Sequence, residues 1–197
     1  EFALILFIGL VLHGFLAEIL NRAPTLIVSN VNLVKRVVFP LDTLPVMAVC
    51  TALVHLMISL AIWLAFHWIV RGPPPMTAWL LPVGILPLFV FALGAGWLLA
   101  SLGVYLRDMS YVMPMISMVL MFVSPVFYPA SALRPPYDKL VLLSPLTEPI
   151  EFARDVLIGG QQPRWDAYFG FLGCALIFAW LAYAWFLGTK KGFADVL

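Results

Sequence analysis

Charge is what this chain has least of: 11 Lys or Arg and 10 Asp or Glu in 197 residues, 11% of the sequence, where an ordinary soluble domain carries about 25%. Apolar residues make up 63% and the mean hydropathy is +1.04. Polar side chains are too few to cover such a core, so a water-soluble fold is excluded and the remaining solvent is lipid. Cysteine is nearly absent; Cys50 and Cys174 supply neither a disulfide framework nor a zinc cluster, and a net charge of +1 leaves no basic surface for nucleic acid. No Walker A, H-E-x-x-H, C-x-x-C or G-x-S-x-G string occurs, so no catalytic residue and no ATPase of the chain's own is assigned. His13, His55 and His67 all fall in apolar stretches, and the last two are about 120° out of phase on a helix, which excludes one shared metal face. Each reads as a packed or interface-lying histidine, and no metal site or resident cofactor is expected.

The few charges are also clustered, leaving long stretches with none, such as Thr43 to Val70 and Ala167 to Thr189. Each exceeds the roughly 20 residues that cross a bilayer. Five spans are expected, at about 2–20, 46–70, 79–105, 112–132 and 166–188. The first contains Glu18, which must lie near an interface or inside the bundle, because charge is costly in hydrocarbon. "RGPPPM" ends the second span, since three prolines cannot continue a helix. Pro82 and Pro87 predict a kink in the third. Its later half places Ala92, Gly96, Ala100 and Gly103 on one face, which reads as close helix packing. The opening at Glu1, without the basic flank or cleavage site of a signal peptide, reads as an N-terminally incomplete chain.

The connections carry the polar candidates. Arg107 and Asp108 sit in a short turn at a membrane surface. The fourth span is rich in methionine, and Ser117, Met121, Ser124 and Tyr128 form a stripe of intermediate polarity on it. Two readings fit this stripe: a wet path, or hydrogen bonds to another helix. From Arg134 to Trp165, charges and prolines alternate. There "DKLVLLSPL" and "EPIEFARDVLIGG" read as two short helices that dip into the membrane edge, the second with Pro149 in its first turn and glycine after its last. The segment "NVNLVKRVVFPLDTLP" sets Lys35 and Arg36 among apolar residues. It reads either as an amphipathic surface helix presenting the basic pair or as a loop held by anionic lipid. Five spans put the termini on opposite sides. With the "TKKGFADVL" tail inside, basic residues divide six inside against five outside, or six against one without the longest loop, which favours this orientation.

The ordered strings "N-x-x-L-V-K-R-V-V-F-P-L-D-x-L-P", "Y-L-R-D", "S-P-V-F-Y", "S-P-L-T-E-P-I-E-F-A-R-D-V-L-I-G-G" and "K-K-G-F-A-D-V-L" resemble the permease subunits of type-2 ATP-binding-cassette exporters. Within them the resemblance is to the group that exports O-antigen, capsule or teichoic-acid polysaccharides, and it runs from about residue 2 to the C-terminus. It implies an all-α helical bundle in a bacterial cytoplasmic (inner) membrane, with six spans in the complete family chain and a homodimer on two copies of a separate nucleotide-binding ATPase. ATP and magnesium would belong to that partner; the other partners are the lipid-linked polysaccharide and membrane lipid. Segment 30–42 would be a cytoplasmic coupling helix with Lys35, Arg36, Phe39 and Pro40 in contact with the ATPase. Segment 134–160 would be the short outer re-entrant gate helices, carrying Pro145, Glu151, Arg154 and Asp155. The family often has asparagine where this chain has Ser144. The fourth visible span would line the conduit.

A glycan is a chain of hydroxyls that needs stacking surfaces and hydrogen bonds along its path. Phe122, Phe127 and Tyr128 are the candidates to supply them, against membership of the interfacial aromatic belt. Two alternatives differ in substrate or class. A type-2 exporter of drugs or small lipids would share fold and coupling. A membrane-embedded glycan or acyl transferase would need clustered carboxylates or histidines, where the sequence offers only isolated Glu18, Asp108 and Asp166.

Overall fold

The computed structural model describes residues 2–32, 40–128, 141 and 144–196, and among these the chain is helical without a strand. The described α-helices are α1 Phe2–Arg22, α2 Thr43–Arg71, α3 Leu81–Tyr105, α4 Met109–Val123, the short α5 Thr147–Arg154, α6 Trp165–Thr189 and the single turn α7 Phe193–Val196. Helical stretches Ala3–Thr25, Thr43–Arg71, Met76–Tyr105 and Trp165–Gly192 are each long and apolar enough to cross a membrane. The protein is an all-α integral membrane protein.

The fourth apolar segment differs from its expected extent of 112–132. Helix α4 has 15 residues, roughly 22 Å at 1.5 Å per residue, shorter than the hydrocarbon core. It stops at Val123 because Ser124 turns extended (φ −76°, ψ 153°) ahead of Pro125, whose ring disfavours helix at the preceding residue. Of the two short helices expected between the last spans, the first falls in large part outside the described residues, and its last residues, 144–146, form a bend and turn. The second is α5, followed by one π turn, Asp155–Gly159, and closed by Gly160 at φ +60°.

Helices α1 and α3 form the middle of the bundle. Leu4, Ile8, Leu12, Leu16 and Ile19 are buried along α1, and this helix meets α2, α3, α4 and α5, while α3 runs along α6. Helices α2 and α6 turn large apolar side chains outward, among them Ile58, Ile62, Ile69, Ile177, Trp180 and Leu181. On a soluble protein such a surface would drive aggregation; in a bilayer it meets acyl chains.

Small residues set how closely the helices approach. Gly96 lies against Pro45 and Val49 of α2, and a Cβ on Gly103 would collide with the Pro24 carbonyl oxygen. Gly94, on another face of α3, receives Phe178 and the Ala179 backbone of α6. Close backbone contact supplies dispersion energy where lipid removes the hydrophobic drive between helices.

Helix–helix hydrogen bonds add to this. Pro87 stands inside α3 and lacks the N–H that would have bonded the Val83 carbonyl. The Tyr168 hydroxyl of α6 donates to that oxygen at 3.1 Å. The Trp63 indole donates to the Leu4 carbonyl at 3.0 Å, and the His13 ring donates through Nε2 to the Ser117 carbonyl at 3.0 Å, which ties α1 to α4.

Gly103→Ala should therefore lower the thermal midpoint in detergent, with overpacking of about 1–3 kcal/mol outweighing the helix-propensity gain. Gly173→Ala, whose added methyl would meet nothing within 4 Å, should be neutral or slightly stabilising. Equal midpoints for both variants would refute close packing at Gly103.

Candidate functional site

The end of the bundle that carries Asp42 is built around the exit of the 30–42 segment. Lys35, Arg36 and Phe39 lie outside the described residues. Pro40 is exposed, and its carbonyl accepts the Thr43 N–H at 3.0 Å and the Thr43 hydroxyl at 2.7 Å. Asp42 then fastens the segment to two other helices. Its carboxylate accepts the Lys190 ammonium at 3.0 Å, and its carbonyl accepts the Trp97 indole N–H at 3.0 Å. The hydrogen bond from Lys190 holds the Asp42 carboxyl below its ordinary pKa.

Nearby, the Tyr105 hydroxyl donates to the Thr189 carbonyl at 3.0 Å, and the Ser101 and Thr189 hydroxyls bond at 2.7 Å. Ile27, Leu41, Val104, Phe186 and Phe193 close an apolar cluster beneath. Arg107 and Asp108 are exposed in the turn leading to α4, where the Asp108 carbonyl accepts the Tyr111 and Val112 N–H groups.

The conduit candidates divide by exposure. Ser117 and Ser124 are buried; the Ser124 hydroxyl bonds the Leu120 carbonyl and the Ser144 hydroxyl, each at 2.6 Å. Met121, Phe127 and Tyr128 are half-buried, and Phe122 is exposed. The Phe122 and Phe127 rings stack with centroids 5.7 Å apart. Tyr128 holds its place by donating to the Phe122 and Val123 carbonyls, both at 3.1 Å.

Among the gate candidates, Arg154 joins the largest number of elements. Its guanidinium donates to the Tyr128 carbonyl at 3.2 Å, the Val126 carbonyl at 3.0 Å and the Glu151 carboxylate at 3.1 Å, with a long contact to the Ile5 carbonyl at 3.5 Å. Val126 lies across Gly9 of α1, with its Cα 3.2 Å from where a Cβ would sit. Pro145 stands at the turn before α5, and Asp155 begins the π turn. Burial raises the carboxyl pKa of Glu148 and of Asp155, partly offset in both by Arg164.

Two polar pairs were not anticipated from the residues. The Glu18 carboxylate accepts a hydrogen bond from His55 Nδ1 at 2.9 Å, with the histidine side chain 58% exposed, on an open face of α1 and α2. Lys190 reaches Asp42 across 148 positions. The signal for the first was available, since an ionisable residue inside a span calls for a partner. The second had none. Among the described residues no group of three or more His, Cys, Asp or Glu is placed to hold a metal.

A model of the ABC-2 type transporter family matches residues 2–158. The chain belongs to that family. This ABC-2 permease is 22% identical over 197 residues to the "O-antigen export system permease protein RfbA" of Myxococcus xanthus, covering 99% of the chain and 76% of that protein. Two Klebsiella pneumoniae proteins with the same name are 21% identical over 162 residues (81% of the chain, 62% of the relative) and 19% identical over 134 residues (68% and 52%). The ABC-2 permease is thus a transport subunit of a type-2 exporter and a multi-pass protein of the bacterial inner membrane.

The Asp42–Lys190 pair carries a pH signature. Because the folded carboxyl is depressed, its stabilisation is present above about pH 4, the unfolded value, and disappears as pH falls through the lower folded value. Side chains 26% and 31% exposed place the pair at about 1 kcal/mol or less. Asp42→Asn should cost about that much at pH 7 in a detergent unfolding assay, and the deficit should close on acidification below about pH 4. A deficit independent of pH would exclude the ionic contribution.

Proposed function

We propose that this permease is the membrane-spanning part of an ATP-driven exporter that moves a lipid-linked polysaccharide, of O-antigen, capsule or teichoic-acid type, out across the inner membrane. It acts as a homodimer with two copies of a separate ATPase, which holds the ATP and magnesium, and no covalent chemistry takes place on this chain. The relatives named for O-antigen export support the substrate class.

The observation that carries the reading is the stacked pair Phe122 and Phe127 at the end of α4. An exposed ring braced by a second ring offers an apolar face to sugar C–H groups without tight binding. Helix α4 also exposes Tyr111, Met115 and Met118, a continuous wall for a conduit. The Glu18–His55 pair supports the dimer, because a polar pair roughly 18 Å along α2 needs protein or water over it.

Coupling runs through segment 30–42. The basic residues Lys35 and Arg36, with Phe39 and Pro40, receive the motion of a cytosolic ATPase, and Asp42 passes it to α3 and α6 through Trp97 and Lys190. The short helix α5, carrying Glu151 and Arg154 and flanked by Pro145 and Asp155, closes the far end.

Charge reversal of Lys35 and Arg36 should abolish export and glycan-dependent ATP hydrolysis while the complex still assembles. Normal export in that double variant would remove the coupling role. Phe122→Ala with Phe127→Ala should slow export about 3- to 10-fold, the worth of an aromatic contact of about 1 kcal/mol, with ATPase assembly unchanged. Undiminished flux would return both rings to the lipid-facing belt.

A further inference from the structure

Helices α3, α5 and α6 enclose an open groove of about 560 Å³ at the end of the bundle away from Asp42, within the range of small-molecule sites, about 300–1,000 Å³. Its long wall is one face of α6, where Ala167, Phe171, Cys174 and Phe178 recur at helical spacing. From Ala167 to Phe178 this face runs roughly 16 Å, about half the ~30 Å hydrocarbon thickness. The groove therefore has the depth of a single leaflet. Phe91 of α3 completes the apolar lining, 4.9 Å from the Phe178 ring and 6.3 Å from that of Phe171.

The rim has the opposite character. Glu148 lies there, largely buried, with the exposed Arg164 guanidinium 3.8 Å from its carboxylate. That separation is long for a charge-assisted hydrogen bond and leaves Arg164 free to swing toward another anion. On the groove face of α6 itself Gly170 and Cys174 are exposed, so the groove opens to the outside of the bundle.

We propose that this groove binds a phospholipid of the phosphatidylethanolamine class, its acyl chain along Phe91, Phe171 and Phe178, its ammonium on Glu148 and its phosphate on Arg164. The trough matches one acyl chain in length, and the rim presents one anion and one cation to a head that carries one of each. A choline head offers no N–H donor to the carboxylate. A glycerol head brings no cation to Glu148, whose ionised carboxyl is disfavoured by burial, with Asp155, Asp166 and Glu151 adding repulsion. A bound ammonium would relieve that repulsion.

Cys174 is a free, exposed thiol in the groove and reports occupancy. In the detergent-purified full chain carrying Cys50→Ser, the alkylation rate of Cys174 is measured with added phosphatidylethanolamine, phosphatidylcholine or phosphatidylglycerol of matched chains. Phosphatidylethanolamine should slow alkylation roughly threefold more than either other lipid, the scale of an interfacial ion pair. Glu148→Gln and Arg164→Gln should each erase that preference while leaving general slowing by lipid intact. Equal slowing by all three lipids would mean annular lipid only, and no slowing by any would mean that something other than lipid covers the groove; either overturns the proposal. Should a variant fold poorly, retention of the three lipids by the unmutated chain in native mass spectrometry decides the same question.

Discussion

Inside hydrocarbon there is no water to take up a backbone group that loses its helical partner, so every break in a helix must be mended from within the protein. This constraint organises the permease. Pro87 orphans the Val83 carbonyl inside α3, and Tyr168 of α6 supplies the missing donor. At the end of α4, where the chain leaves the helix ahead of Pro125, the Val126 and Tyr128 carbonyls are bonded by Arg154. Burying that guanidinium costs desolvation, which shows as a lowered pKa. Glu151 beside it and the fan of carbonyls around it offset the cost, as a buried charge requires. Removal of the cation alone would take this donor from both the Val126 and the Tyr128 carbonyls. A non-helical turn is possible here because one side chain from another element bonds two of its carbonyls.

The same helix carries repairs at both ends of the bundle. Helix α6 braces the proline break of α3 through Tyr168 and, near its other end, holds the exit of the 30–42 segment through Lys190 and the bonds from Ser101 and Tyr105 to Thr189. With Gly94 admitting Phe178 and the Ala179 backbone between these points, α3 and α6 behave as one strut. Helix α1 forms a second unit, tied to α4 by His13 and to the turn that follows α4 by the crossing of Val126 over Gly9. Two packed units, α3 with α6 and α1 with α4, thus meet at the bundle centre.

Much of the fold was legible in the residues, for reasons of solvent. Charge-free runs longer than a bilayer is thick have one stable destination, so the long apolar helices α2, α3 and α6 follow from composition and length, while α1, interrupted by Glu18, follows less directly. The face of Ala92, Gly96, Ala100 and Gly103 followed from spacing, since small residues at helical period are useful only where another backbone comes close. Proline in the first turn and glycine after the last marked α5. The short extent of α4 was only partly legible: Pro125 marks a break in the sequence, yet the apolar run continues past it, and the turn after Val123 is held by Arg154 from a distant element.

The candidate site was less readable. Aromatic and hydroxyl residues near the end of α4 could be singled out as chemically apt, yet whether Ser124 faced a path or another helix depended on Ser144, twenty residues away. Composition and period act locally, through hydration and the geometry of a single helix, and these settled the choice of solvent, most of the long apolar helices and the faces that could pack. Which polar group met which, as Glu18 meets His55 and Asp42 meets Lys190, was left to the docking of helices. Such pairs join residues far apart in the chain, and the cost of an unmet charge in lipid is charged to the assembled bundle rather than to any one segment.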